Sequence, residues 1–398
     1  MSAVRRVLLI APQPFYEDRG TPIAVRQVLQ ALSELGYEVD ILTYPIGRGV
    51  EIPGVRVFRV GNFLKIRQVP IGLSLRKLIL DAAILPAMVR LLRENRYDCI
   101  HAVEEAAFPA VVLGRRYGIP VIYDMQSGLP EQLTKHAAFR LRPVQAILRR
   151  CEHWLLTNAD LVMCYRGLEG YVSSVAPRAR VREWFSFNEL PTADAEQVAA
   201  IRAELQLPLT KKVVVYTGNF EHYQGIPTLL SAIPSVAAVV PEAVFVLVGG
   251  SGGEAEALRR GAKRMGLNGS LRVVERQSRE RMTPYLAMAD ILVSTRSQGG
   301  NLPLKIFDYV AAGRPIVATD IPTHRTLLNE ERALLVPPNP EAVARGITEL
   351  LCDRERAEGL AAAARSYADE HLGWIRYLQL VGDAYGQLRT PGTETVGL

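Results

Sequence analysis

Residues 301–320, NLPLKIFDYVAAGRPIVATD, constrain the fold of this chain more than any other stretch. Pro303 has φ fixed near the helical value and needs no amide hydrogen, so it suits the first position of a helix. Ile306, Phe307, Tyr309 and Val310 then recur at helical spacing, and Gly313 stands where a C-terminal cap is wanted. Arg314-Pro315 lead into Ile316-Val317-Ala318, an apolar run short enough for a buried parallel strand. A helix that feeds directly into such a strand is one unit of a doubly wound α/β sheet.

The same alternation runs through the rest of the sequence. Strands are expected at Val7–Ala11, Glu38–Thr43, Val55–Val60, Asp98–Ala102, Pro120–Tyr123, Leu161–Cys164 and Arg180–Phe185. A helix from about Pro22 to Leu35, capped by Thr21 and stopped at Gly36, follows the first of them. A polar stretch places a hinge near 188–200, and the pattern restarts at Val213–Thr217. Further strands follow at Val244–Gly249, Leu271–Val274, Ile291–Ser294 and Ala333–Val336, with a short helix near Pro284–Ala289. This predicts an α/β chain of two doubly wound Rossmann-like domains, 1–190 and 191–371.

At 398 residues the chain can build two cores of ordinary size. Cys99, Cys151, Cys164 and Cys352 are widely spaced, and no signal peptide precedes them, so they read as reduced thiols of a cytoplasmic protein. No His/Cys/Asp cluster has metal-ligand spacing, and no metal is expected. The best membrane-span candidate, Leu78–Leu92, is broken by Asp81, Pro86 and Arg90. Charge is uneven: residues 1–190 carry a net of +7 and the remainder −1. Residues 56–96 hold nine basic side chains and two acidic ones, and Lys135–Arg150 adds five basic groups among apolar neighbours. Such a pattern suits either a solvated basic face or a surface resting on an anionic bilayer, at the inner face of a membrane. Nucleic acid is not expected, because aromatic residues are not interleaved with the basic ones.

Ligands of open α/β sheets bind beyond the carboxyl ends of the strands, so polar residues there carry the chemistry. Gly299-Gly300 precede the helix at Pro303, whose first amides are open to an anion, and Asp308 lies one turn on. An anion site followed by a carboxylate for a sugar hydroxyl is what a nucleotide-sugar site requires. Gly20 stands before another helix start. Gly218 ends the strand Val213–Thr217, and Gly249 opens a glycine cluster that lacks the third glycine of a dinucleotide fingerprint. In the first half, HAVEE and DMQS (His101–Glu105 and Asp124–Ser127) follow strands. Glu105 and Asp124 are candidates to contact or deprotonate an acceptor hydroxyl, and Gln126 to position one. A solvated helix-start carboxylate reads equally well for Glu105.

PLKIFDYVAAGRPIVAT resembles the donor-site segment of family 4 glycosyltransferases of the GT-B fold, where Pro-x-Lys-x-x-Glu-Tyr-x-x-x-Gly-x-Pro is common. The resemblance implies two domains facing each other across a cleft, with C-terminal helices at about 372–390 crossing back to the first. It implies a retaining, metal-independent and cofactor-free transfer from a nucleoside diphosphate sugar, UDP first and GDP second, to a hydroxyl acceptor, lipid-linked or glycan. In that family a Glu-x7-Glu motif ends on the ribose ligand. Asp308 falls on that glutamate, and Gly300 replaces the first one.

The family's Lys-Gly pair becomes Gln224-Gly225, and Asn219 follows Gly218 where an arginine is usual. Lys305 is the best replacement for the missing phosphate cation, helped by helix amides near Leu302. Gly20, Gly218 and Gln224 would line the diphosphate. Gly249 and Arg276 would lie near the base, and Gln298, Gly300 and Asn301 near the donor sugar. Gln126 occupies the place of a family histidine that contacts the transferred sugar. Two alternatives share the fold: a UDP-sugar 2-epimerase and a non-catalytic GT-B binding subunit.

Overall fold

The computed structural model describes residues 6–15, 20–49, 51–62, 65–66, 69, 74–130, 139, 141–185, 193–298 and 302–388. Gly300 and Asn301 lie outside them. The chain divides into two units, Met1–Ser186 with Trp374–Leu398, and Phe187–Gly373. Each is built on one wholly parallel sheet.

The first unit holds strands β1 (Arg6–Ala11), β2 (Glu38–Thr43), β3 (Val55–Arg59), β4 (Cys99–Val103), β5 (Val121–Met125), β6 (Leu161–Tyr165) and β7 (Val181–Trp184). Their order in the sheet is β3-β2-β1-β4-β5-β6-β7. Strands β4, β5 and β6 are buried at every position, which is why they read as largely apolar runs, with His101 in β4 and Asp124 in β5 as the polar exceptions. The connecting helices are α1 (Gly20–Glu34), α2 (Leu75–Glu94), α3 (Ala107–Tyr117), α4 (Arg142–Asn158) and α5 (Glu169–Val175). Helix α1 begins at Gly20 itself, so Thr21 lies inside the helix that it was expected to cap.

The second unit opens with helix α6 (Ala195–Glu204), held by a capping box between Asp194 and Gln197. Its strands are β8 (Lys212–Thr217), β9 (Ala243–Val248), β10 (Leu271–Val274), β11 (Ile291–Ser294), β12 (Ile316–Thr319) and β13 (Leu334–Val336). The order β10-β9-β8-β11-β12-β13 is that of a dinucleotide-binding sheet, reversing between β8 and β11. Helices α7 (Ile226–Val239), α8 (Gly252–Arg264), α9 (Arg279–Ala287), α10 (Leu304–Ala312), α11 (Pro322–Arg325), α12 (Pro340–Cys352) and α13 (Arg354–His371) complete the unit. Helix α9 starts earlier than the sequence suggests and carries Pro284 inside it, at the sixth of its nine residues and so past the first turn.

Beyond Gly373 the chain returns to the first unit as helix α14 (Trp374–Gly386). It buries Tyr377, Val381, Ala384 and Tyr385. Tyr377 stacks on Trp184 at 6.5 Å, Tyr385 meets Tyr37 edge-on at 5.4 Å, and Trp374 Nε1 donates to Glu34 Oε2 at 2.9 Å.

Candidate functional site

In the second unit β8 and β11 pair only through Val214–Ile291 and Val215–Leu292. Beyond that point the strands part, and a side chain enters the ladder. Tyr309 Oη accepts from the Thr217 amide at 2.9 Å and donates to the Val293 carbonyl at 3.3 Å. The hydroxyl thus satisfies the two backbone groups that the switch point leaves unpaired. It also fixes helix α10, which carries it, against both strands.

Helix α10 starts at Leu304. Pro303 is its cap, with ψ 130°, rather than its first residue, because an extended ψ does not continue a helix. Gly313 closes the helix at φ +59°. On its first turn Lys305 is 8% exposed. Its Nζ lies 3.9 Å from the centroid of the Tyr216 ring and donates to Gln224 Oε1 at 2.9 Å. Among the described residues no carboxylate pairs with it. Burial first, and then the charge of Arg296, push its pKa well below the ordinary lysine value. The expected cation is present, but it is a desolvated ammonium held by a neutral amide and a ring face. Gln224, read as a phosphate ligand, is itself buried and committed to Lys305.

Glycines make room for this arrangement. A Cβ on Gly218 (φ +132°) would sit 3.2 Å from Tyr216 Oη and 3.5 Å from Lys305 Nζ. On Gly249 (φ +148°) it would meet the Gly218 carbonyl at 1.7 Å, and on Gly225 (φ +71°) the Thr295 carbonyl at 1.9 Å. The ends of β8, β9 and β11 and the start of α7 therefore approach backbone to backbone, with uncapped helix amides at α7 and α10. The α8 N-terminus is different. Ser251 and Glu254 cap it reciprocally, so the glycine cluster opens no free anion site.

Arg296, after β11, is 5% exposed; its Nε donates to the Gln298 carbonyl at 2.6 Å and its guanidinium lies 5.3 Å over Tyr223. His324 is fully buried, with Nδ1–H donating to the Thr319 carbonyl at 2.7 Å and Nε2 accepting from Ser294 Oγ at 3.0 Å. Burial, with the nearby Lys305 and Arg296 charges, pushes its pKa down to about 4, so the imidazole is neutral. The strand ends thus concentrate positive charge where the described residues offer no carboxylate to Lys305.

Asp308 lies one turn along α10 and accepts from Arg279 Nη2 at 3.1 Å. That contact orients the carboxylate. Leu302 is buried, so only its backbone can reach a ligand. Asn219 is half-buried and its Nδ2 donates to Tyr223 Oη at 3.3 Å. Gln298 and Arg276 are exposed, and the Arg276 amide donates to the Gly250 carbonyl at 3.1 Å. Arg296, Arg279 and Tyr216 were not singled out from the sequence. Arg296 could have been found as a strand-end cation, and Tyr216 as the residue two before Gly218, on the same face of the strand.

In the first unit Asp124 was expected to contact or deprotonate an acceptor hydroxyl. It is instead fully buried, accepting from His101 Nε2 at 3.3 Å and Gln126 Nε2 at 2.7 Å, because Tyr385 of α14 closes over His101. Burial raises its pKa, while the His101 contact opposes the rise. Direct proton abstraction by Asp124 does not fit that enclosure. Glu105 is partly exposed and pairs with Lys77 at 2.5 Å. Beside them, Asp81 accepts from the Tyr44 hydroxyl, and burial pushes the Asp81 carboxyl up to about 6. Gln126 is half-buried past the end of β5, and Gly20 is the first residue of α1. Among the described residues no group of three or more His, Cys, Asp or Glu is placed to hold a metal ion.

Two Rossmann-like units in one chain, the second with a cationic, glycine-lined switch point, define a GT-B architecture. The profile described as "Glycosyl transferases group 1" matches residues 197–367, and "Glycosyl transferase 4-like domain" matches residues 19–182. The chain belongs to the family 4 glycosyltransferases. It is 25% identical to D-inositol 3-phosphate glycosyltransferase of Nocardiopsis dassonvillei, over 94% of this chain and 90% of that protein. It is 23% identical to phosphatidyl-myo-inositol mannosyltransferase of Mycolicibacterium smegmatis, over 90% and 88%. Its fold is similar to that of sucrose-phosphate synthase from Thermosynechococcus elongatus (TM-score 0.75, 23% identity, 96% of this chain and 98% of that one). Anabaena HepE in complex with UDP and glucose has a TM-score of 0.73 at 16% identity, over 96% and 100%.

Proposed function

We propose that this glycosyltransferase moves a hexose from a nucleoside diphosphate sugar, UDP-linked before GDP-linked, to a hydroxyl of a lipid-linked or glycan acceptor, with retention. The observation that carries the donor assignment is Lys305: a buried ammonium whose described partners are a neutral amide and a ring. An ammonium in that position is costly until an anion arrives. Lys305, the amides at the starts of α7 and α10, and the backbone at Gly218 would take the diphosphate, and Asp308 the ribose. Arg276 and Gly249 would border the base, and Gln298, Gly300 and Asn301 the sugar.

In the front-face displacement proposed here, the acceptor oxygen attacks the anomeric carbon as its bond to the diphosphate breaks. The acceptor proton passes to a departing phosphate oxygen, so no protein nucleophile, metal or cofactor takes part. Lys305 and the helix amides stabilise the charge on the leaving group. Glu105, supported by Lys77, would bind the acceptor hydroxyl.

Two of the relatives are named as a D-inositol 3-phosphate glycosyltransferase and a phosphatidyl-myo-inositol mannosyltransferase, which supports an anionic or lipid-linked acceptor. Helix α2 exposes Leu75, Leu78, Ile79 and Leu85 among Arg76, Arg90 and Arg93; helix α4 exposes Ile147 and Trp154 among Arg149 and Arg150. Among the described residues no helix is long and apolar enough to cross a membrane. An apolar-basic face of this kind suits peripheral contact with an anionic bilayer.

Thermal shift with UDP-, GDP- and dTDP-sugars, followed by product analysis with lipid and sugar acceptors, tests the reading. Transfer with retained anomeric configuration supports it. Epimerised sugar nucleotide without acceptor would establish the epimerase alternative, and binding without turnover the non-catalytic one. Equal sedimentation with neutral and anionic vesicles would remove the membrane assignment.

A further inference from the structure

The edges of the two sheets are β3 and β7 in the first unit, β10 and β13 in the second. An edge strand presents a row of backbone groups that a strand of another chain can pair with. Cations follow that geography. Among the described strands, no central one carries a lysine or arginine beyond its first residue, whereas β3 holds Arg56 and Arg59, β7 Arg182 and β10 Arg272.

In β10 the Ser270 and Val274 carbonyls accept from the Phe245 and Gly249 amides, on the β9 side, at 2.8 and 2.9 Å. The alternate carbonyls, those of Leu271 and Val273, therefore point away from the sheet. Both are taken by guanidinium groups. Arg272 Nη1 donates to the Leu271 carbonyl at 3.1 Å. Arg259 of α8 donates to the Val273 carbonyl from Nε at 3.2 Å and from Nη2 at 2.9 Å. Each cap is itself held. Arg272 also donates to the carbonyls of Leu205 and Asn268, both at 3.1 Å, and Arg259 Nη1 pairs with Glu256 at 3.3 Å.

A guanidinium has donors and no acceptor, so it satisfies a carbonyl row without extending the ladder as another strand would. The first unit repeats the arrangement. The Arg180 and Trp184 carbonyls accept from the Val162 and Arg166 amides, which turns the Val181 carbonyl outward, and Arg182 Nη1 donates to it at 3.1 Å.

We infer that Arg259 and Arg272 close the β10 edge of the second sheet against pairing with the same edge of a second copy of this chain. A second copy is the partner concerned because two identical edges meet antiparallel across a two-fold axis, each supplying what the other needs. The sequence Leu271-Arg272-Val273-Val274 favours such pairing once its carbonyls are bare. The closure belongs to the second unit alone and holds whatever the protein transfers.

The test uses the full chain, with circular dichroism to establish that each variant is folded. Arg259→Ala with Arg272→Ala bares both carbonyls, and its weight-average mass in sedimentation equilibrium should rise with concentration toward twice that of the wild type. Arg260→Ala with Lys263→Ala is the control. These side chains line the same groove and carry the same charge, but among the described residues neither donates to β10. That variant should keep the wild-type mass.

Val273→Pro, added to the first variant, should abolish the association. The Val273 amide points outward with its carbonyl, so proline spares the bonds to β9 and blocks the added strand. Arg259→Ala alone leaves Arg272 on Leu205 and Asn268, and decides the matter if the double variant does not fold: it should give a smaller rise, again reversed by Val273→Pro. Wild-type mass in the arginine variants, an equal rise in the charge control, or a rise that survives Val273→Pro overturns the inference.

Discussion

Replacing Lys305 by methionine should raise stability and destroy nucleotide binding, two changes of opposite sign. In the free protein the ammonium has lost most of its water. A desolvated cation–π contact returns about 2 kcal/mol and the charged hydrogen bond to Gln224 about 1.5–3 kcal/mol, against a cost of several kcal/mol for burying the charge. Methionine keeps the apolar stem over Tyr216 and removes that cost, leaving Gln224 Oε1 without its donor at about 1 kcal/mol. The net gain is about 1–2 kcal/mol, or roughly 2–8 °C in Tm for a unit of this size.

UDP should lose one charge-assisted contact, which weakens binding about 10- to 150-fold. The lowered lysine pKa adds a pH signature. Between its depressed folded value and the ordinary 10.5, the unfolded chain binds more protons, so wild-type stability rises with pH and the variant's advantage narrows. Differential scanning fluorimetry across pH and calorimetric titration with UDP read both effects. A Lys305→Met protein that melts several degrees lower and binds UDP as tightly as wild type would refute the reasoning.

Gln224→Lys, which restores the family's usual residue, should lower Tm by several degrees, because a second ammonium would meet Lys305 at hydrogen-bond distance; adding Lys305→Met should recover the loss, and equal melting of single and double variants would contradict this. His324 has a folded pKa of about 4 against 6.5, so the unfolded state takes up its proton first as pH falls. Wild type should then lose up to about 3 kcal/mol between those values relative to His324→Asn, as read by urea unfolding at each pH. Gly249→Ala places a Cβ 1.7 Å from the Gly218 carbonyl at φ +148° and should cost about 3 kcal/mol or more in thermal unfolding. Gly253→Ala, with open space around it inside helix α8, should instead stabilise by about 0.5–1 kcal/mol.

The strands were legible because a parallel strand buried on both faces leaves an unbroken apolar run, as in Leu161–Tyr165 and Val213–Tyr216. The helix that carries Asp308 was legible for a local reason: its apolar spacing and its glycine stop lie within one short segment. Burial at the site was not. Lys305 looks like a surface lysine until Tyr216 and Gln224, more than 80 positions away, close over it. Asp124 looks like a strand-end carboxylate until Tyr385 arrives on α14, 284 residues beyond His101. Pairings at that range leave no periodicity in either partner, and Pro284 shows that even a local breaker is tolerated when neighbours hold the helix.

The return of α14 to the first unit also orders events in time. A ribosome making this chain releases Met1–Ser186 before the whole of Phe187–Gly373 and only then Trp374 onward. At about 5–20 residues per second the nascent first unit waits roughly 10–40 s for Tyr377 and Tyr385. Throughout that interval Trp184 and the His101–Asp124 pair lack their cover. The second unit, continuous in sequence, has no such delay. Synthesis therefore finishes the later unit first, and the earlier one stays exposed to chaperones and proteases until the helix emerges.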